Sequence, residues 1–135
     1  MLTEKELIAA PDDDYMNDQQ VEFFRSLLTE MAAEIRLQIE SSRKELQTMQ
    51  YEADELDKAA LEEERRLQLR FLDRQSKLLP KIGEAIKRLD TGEFGYCAVT
   101  GEPIGVRRLL ARPTATLCAE EKMRQERKEQ NFRDD

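Results

Sequence analysis

From Asn17 onward the chain alternates polar and apolar positions at helical intervals, and no glycine or proline interrupts it between Pro11 and Pro80. Asn17, with Gln20 three residues on, is placed to cap a helix. Apolar residues then fall at Phe24, Leu28, Met31, Ile35, Ile39, Leu46 and Met49. The steps are mostly built from threes and fours, with two consecutive fours at 31, 35 and 39 that read as a stutter in a heptad. This helix is predicted to reach about residue 49. A second starts near Leu56, and its buried side is predicted to hold Leu67, Phe71, Leu72, Leu78, Leu79, Ile82, Ile86 and Leu89. Two long helices with one polar reversal near Gln50 to Glu55 predict an antiparallel coiled-coil hairpin, and thirty helical residues span about 45 Å.

Other signals set the boundaries. Thr3 to Glu6 has the spacing of a capping box, predicting a short helix from about 3 to 10 that Pro11 and the run Asp12 to Asp14 end. Pro80 falls inside the second helix, where it lacks an amide proton and crowds the carbonyl of Ser76, so a kink is expected there. Gly92 suits a C-terminal cap. From Glu93 to Pro113 the period is lost, and Gly95, Gly101, Pro103 and Gly105 punctuate an irregular knot. A last helix is expected from about Leu117 to Phe132. The fold class is thus mainly α, a long coiled-coil hairpin with a small zinc-ribbon-like head and a C-terminal helix. The predicted divisions are 1–16, a short helix and loop belonging to the head; 17–91, the arm, with its tip near 50–59; 92–116, the knot; and 117–135, the final helix.

Charge and composition narrow the function. The 135 residues carry 29 acidic against 22 basic groups, a net charge of -7, which argues against a general nucleic-acid binder that neutralises phosphates. No basic helix with base-reading residues stands out, because the cluster Arg107, Arg108, Arg112 falls in the irregular head. No run of about 18 apolar residues and no secretory signal is present, so a cytoplasmic protein without membrane contact is expected. The chain has no histidine, and its serines sit in no nucleophile motif. An autonomous enzyme is not expected.

The knot holds the two cysteines, Cys97 and Cys118. Cys97-Ala-Val-Thr100 and Cys118-Ala-Glu-Glu121 have the layout of a zinc ribbon in which the second ligand of each pair is replaced. A structural zinc needs four deprotonated nitrogen or sulfur ligands, and a neutral threonine hydroxyl is a poor one. The residues favour a ribbon shape without zinc, held by hydrogen bonds and by packing from Tyr96, Ile104, Leu109, Leu110 and Leu117. In that shape Cys97 and Cys118 lie near each other.

Three segments of the head carry a resemblance: Gly92-Glu-Phe-Gly-Tyr-Cys97, Gly101-Glu-Pro-Ile-Gly-Val-Arg-Arg-Leu109, and Ala111-Arg-Pro-Thr-Ala-Thr-Leu-Cys118. With Tyr15-Met-Asn17 and Asp54-x-x-Asp57-x-Ala59, they resemble the DksA/TraR family of bacterial RNA polymerase regulators. The pattern Cys97, Thr100, Cys118, Glu121 at the four metal positions is similar to the zinc-independent paralogues of that family. The resemblance implies a monomeric factor that inserts its coiled coil through the secondary channel of RNA polymerase and shifts the lifetime of open promoter complexes. Guanosine tetraphosphate is the implied co-regulator, and no stably bound cofactor is implied. By position, Asp54, Asp57 and Ala59 match the tip residues required for activity, and Arg74 matches a contact with the channel rim. Lys81, Arg112 and Lys122 match the basic residues of a nucleotide site shared with the polymerase.

Read without the resemblance, Asp54 and Asp57 are a solvated acidic turn, Glu62 to Glu64 a solvated helix face, and the three cations surface charges beside glutamates. A different class of function also uses an acidic coiled-coil tip: a transcript-cleavage cofactor, whose carboxylates hold a catalytic magnesium in the polymerase. That class carries a β-rich domain where this sequence has a degenerate ribbon. A coiled-coil adaptor with an inert tip is a third reading.

Overall fold

The computed structural model describes residues 1–51 and 58–133. Five α-helices run in the order α1 (Glu4–Ala9), α2 (Asp18–Tyr51), α3 (Lys58–Thr91), α4 (Val106–Ala111) and α5 (Ala119–Arg133), with a 3-10 turn at Asp12–Asp14. Among the described residues there is no strand, only an isolated antiparallel bridge between Tyr96 and Pro103. The chain divides into two units, Met1–Leu28 with Ala85–Asp135, and Thr29–Glu84. Both long helices pass through both units.

The helix ends follow the local chemistry. The Thr3 hydroxyl accepts from the Glu6 amide at 3.2 Å and opens α1. Asn17 accepts from the Gln20 amide at 2.9 Å, while Gln20 accepts from the Met16 amide at 2.8 Å. Gln20 is 1 % exposed, so this cap is also part of the core. At the end of α3, Gly92 takes a φ of 79°. The Glu93 amide then reaches the Arg88 carbonyl at 2.9 Å and the Gly92 amide that of Leu89 at 3.4 Å, the paired bonds of a Schellman motif. Pro80 lies inside α3, which continues as one 34-residue helix through it. Pro80 and Ser76 are both exposed, so water can satisfy the carbonyl left without its amide.

In the second unit α2 and α3 pair antiparallel. Gln75 donates to Gln38, and Gln68 donates to Glu45 at 2.7 Å, one heptad along on each helix and in opposite directions. The buried line of α2 differs from the expected one. Leu28, Ala32, Ile35, Ile39, Ser42 and Met49 are buried with Leu46 half-buried, a regular alternation of fours and threes. Met31 lies beside this line and the expected stutter at 31 to 39 is absent. The consecutive fours fall instead at Gln20, Phe24, Leu28 and Ala32. Each step of four overshoots a full helical turn by about 40°, so the buried line winds around α2 as its packing partners change.

Leu67, expected in the core, is 55 % exposed. The facing line of α3 instead runs through Leu61, Gln68, Gln75, Ile82 and Leu89, with half-buried Phe71, Leu72, Leu78, Leu79 and Ile86 between them. Helix α2 also continues through Gln50 and Tyr51, where a reversal was expected to begin. The predicted tip, including Asp54 and Asp57, and the expected start of the second helix at Leu56 lie outside the described residues.

In the first unit Phe24 and Leu28 of α2 meet Ala85 and Leu89 of α3 in a core that Leu7, Phe94, Ile104 and Leu109 complete. Phe24 and Phe94 pack with their rings tilted by 48° and centroids 5.2 Å apart. Arg25 pairs with Asp90 across the two helices at 2.8 Å. The stretch expected to be wholly irregular contains α4, opened by Gly105 at a φ of 102°. Its residues Val106 to Ala111 are good helix formers, and Arg107 and Arg108 therefore stand on a helix.

Candidate functional site

The head is built around Cys97. Its amide donates to the Glu102 carbonyl at 2.8 Å and its carbonyl accepts from the Gly101 amide at 2.9 Å, closing a tight knuckle. Beyond it, the Ile104 amide reaches the Gly95 carbonyl at 2.7 Å, and the Ala98 amide reaches the Thr116 carbonyl at 2.8 Å. The last bond draws the Thr116 to Cys118 segment alongside the first knuckle. Both cysteines are free thiols and both are buried.

Thr100 stands between them. Its hydroxyl accepts from the Glu102 amide at 3.3 Å and lies 3.9 Å from the Cys118 sulfur. Burial raises the Cys97 thiol, but hydrogen bonds outweigh it: the Thr100 hydroxyl first, then the amides of Cys118, Thr100 and Val99, bring it from 9.0 down to about 6. Amides that converge on one sulfur stabilise the thiolate much as a metal would. A depressed folded-state pKa contributes stability that is complete above the unfolded value and lost as pH falls through the folded one. The urea midpoint is therefore expected to rise between about pH 6 and pH 9, and Cys97→Ser should flatten that rise.

The donor set does not fit a structural zinc. It offers two thiols, a hydroxyl and one carboxylate, and among the described residues no three His, Cys, Asp or Glu side chains group to hold a metal. Glu121, 8 % exposed, faces Arg124 at 3.7 Å.

The ribbon also carries a set of braces that sequence reasoning missed. The Tyr15 hydroxyl donates to the Gly95 carbonyl at 2.5 Å and accepts from the Gly105 amide at 3.0 Å, joining the N-terminal segment to both glycine turns. Burial pushes this phenol above its usual value, keeping it protonated and able to donate. Its ring meets Tyr96 edge-on at 5.6 Å. Arg88 reaches from α3 to the Tyr96 carbonyl at 2.9 Å, and Arg108 from α4 to the Leu117 carbonyl at 3.1 Å. No periodicity announces such residues, since each acts through a single distant carbonyl or amide.

Gly95 has a φ of 87°, and a Cβ there would lie 3.0 Å from both the Tyr15 hydroxyl and the Met16 side chain. Gly95→Ala is expected to lower stability by about 2 kcal/mol or more, through the left-handed backbone and the displaced Tyr15. A denaturant titration beside Gly92→Ala, which has open space around it, separates the clash from the backbone term.

The other anticipated residues fall on several elements. Ala59 is exposed in the first turn of α3, and Arg74 is exposed farther along the same helix. Lys81 is exposed on α3 in the second unit, while Arg112 at the end of α4 and Lys122 on α5 belong to the first. Lys122 is 4.0 Å from Glu126, and neither Lys81 nor Arg112 forms an ion pair among the described residues.

Comparison with known proteins agrees with this architecture. Residues 20–89 match the model of the DnaK suppressor protein DksA N-terminal domain, and residues 92–127 match the prokaryotic dksA/traR C4-type zinc finger. The chain is 45 % identical over 128 residues to the RNA polymerase-binding transcription factor DksA of Caulobacter vibrioides, covering 92 % of this chain and 88 % of that one. It is 42 % identical over 112 residues to the protein of that name from Escherichia coli K12, covering 80 % and 72 %. The structure of transcription factor DksA2 from Pseudomonas aeruginosa superposes with a TM-score of 0.84 at 52 % identity, over 95 % of this chain and 99 % of that one. With both halves of its length matched in order, the helical pair and the ribbon, the chain belongs to the DksA/TraR family.

Proposed function

We propose that this protein is a non-enzymatic transcription regulator that binds RNA polymerase directly. Relatives named as RNA polymerase-binding transcription factors, aligned over most of the chain, carry this reading. In it, the end of the helical hairpin passes through the secondary channel and brings Asp54 and Asp57 toward the active centre, with Ala59 beside them and Arg74 against the channel rim. Carboxylates act strongly on a magnesium-dependent site at short range, where little water screens them. Lys81, Arg112 and Lys122 bind guanosine tetraphosphate together with polymerase groups, the fork of an arginine and the point charges of two lysines suiting a polyphosphate.

The head performs this role without zinc. The observation supporting that point is the donor set of the head, two thiols with the Thr100 hydroxyl 3.9 Å from the Cys118 sulfur and Glu121 facing Arg124 at 3.7 Å.

Transcription in vitro from a stable-RNA promoter, with and without guanosine tetraphosphate and after treatment of the protein with a chelator, tests the reading. Altered open-complex lifetime that survives chelation is expected. Loss of fold on chelation would refute the metal-free head, and no effect at any promoter would refute the regulator. Release of short 3' RNA fragments from a backtracked complex would move the protein to the cleavage-cofactor class.

A further inference from the structure

The seam between α2 and α3 in the second unit sets Gln68 and Gln75 on the facing line of α3, where a coiled coil ordinarily places apolar residues, while Gln38 and exposed Glu45 flank the buried line of α2. Part-buried Gln38 and Gln75 bond across it, Ser42 is buried one turn away at 4 % exposure, and Gln68 bonds Glu45 a heptad toward the hairpin's end. A cleft of about 510 Å³ opens beside these residues, with Leu67 and Phe71 on its wall. A small serine and three amides fill this stretch less tightly than leucines would, so it is not built for maximal cohesion.

We infer that Gln38, Gln75, Glu45 and Gln68 are positioning residues that fix the axial register of the hairpin and so the place at which its turn presents Asp54 and Asp57. The geometry discriminates between registers. Sliding α3 by one heptad one way leaves Glu45 facing Gln75 but puts Gln38 opposite Ile82, which is 1 % exposed. Sliding it the other way lets Gln38 meet Gln68 but puts half-buried Gln75 opposite half-buried Met31. Either slip strands one polar group against an apolar one, which only the observed register avoids. An all-leucine seam would by itself not discriminate among the three alignments, leaving the register to the contacts of the first unit such as Arg25 with Asp90. A slipped alignment also moves the midpoint of the hairpin by half a heptad. The functional consequence rests on the tip reading proposed above, whereas the register claim does not.

The test uses the full chain with ketone-linked spin labels at the exposed positions Glu34 and Arg66, so that the native thiols stay untouched. In the observed register these sites are separated by about 20 Å along the axis, and a one-heptad slip changes that by about 10 Å. A single narrow distance is expected for the unsubstituted seam. Gln38→Leu, Glu45→Leu, Gln68→Leu and Gln75→Leu together are expected to raise the melting temperature yet split the distance distribution. Gln38→Glu with Gln75→Arg, which restores a paired layer, should return it to one distance. A single unchanged distance in the four-leucine variant would overturn the inference. Split distances with undiminished transcriptional activity would leave the register role standing and count against the tip reading instead.

Discussion

Replacing Asp57 with Asn, alone or with Asp54→Asn, is expected to remove the effect on open-complex lifetime while leaving polymerase affinity within about threefold. Asparagine keeps the size and reach of aspartate, removes its charge and turns one acceptor oxygen into a donor. At 4 Å and an effective dielectric of about 20, one unit charge acting on another is worth roughly 4 kcal/mol, about a thousandfold in an equilibrium. Affinity, by contrast, is spread over a helical surface on which a single exposed charge contributes about 1 kcal/mol or less. Lifetimes at a stable-RNA promoter, measured beside competition binding to polymerase, separate the two. Equal loss of binding and effect would make the tip an anchor, and no loss of either would make the hairpin an inert adaptor.

The second large effect concerns the ribbon. Thr100→Cys with Glu121→Cys would place four thiols at the positions a zinc ribbon uses, on a knuckle already closed by the Cys97–Glu102 and Gly101–Cys97 backbone bonds. This double variant is expected to retain about one zinc per chain through gel filtration. Structural zinc sites contribute apparent binding free energies of roughly 10–16 kcal/mol at neutral pH, so the denaturation midpoint should rise sharply with zinc and fall back on chelation. The unsubstituted protein should hold its midpoint through the same cycle. Elemental analysis and chelator-dependent unfolding read both outcomes. Stoichiometric zinc in the unsubstituted chain, with unfolding on its removal, would show that Thr100 and Glu121 belong to a metal site after all.

These expectations depend unevenly on what the sequence discloses. Caps were legible because they are local: Asn17 and Gln20 satisfy amides within one turn, and Gly92 is placed by its backbone alone. The two long helices were legible from periodicity and the lack of breakers. Ala32, Ser42 and the seam glutamines were missed because small and polar residues carry no apolar signal, although the core uses them. Leu67 misled for the opposite reason, being apolar one position away from the facing line that Gln68 occupies.

Helix α4 hid between Pro103 and Pro113, too short to show a period. Cys97, Thr100, Cys118 and Glu121 were recognisable as a ribbon short of ligands, and the Thr100 hydroxyl beside the Cys118 sulfur gives that deficit a physical form. Tyr15, Arg88 and Arg108 were invisible as braces, because each reaches a carbonyl or amide that only the folded chain brings near. The polymerase, the nucleotide and the role of the tip came from resemblance. Charge and spacing alone favour reading Asp54 and Asp57 as a solvated turn.

The account turns on where the end of the hairpin goes when polymerase is bound. A photoreactive benzoylphenylalanine in place of exposed Lys58, in the first turn of α3, measures this most directly. Irradiation of the complex should join it to the large polymerase subunits at segments lining the active centre, whereas the same group in place of Arg107 should not reach them. Crosslinks from position 58 confined to the outer surface of the enzyme, or none at saturating protein, would contradict delivery of the hairpin's end to the active centre.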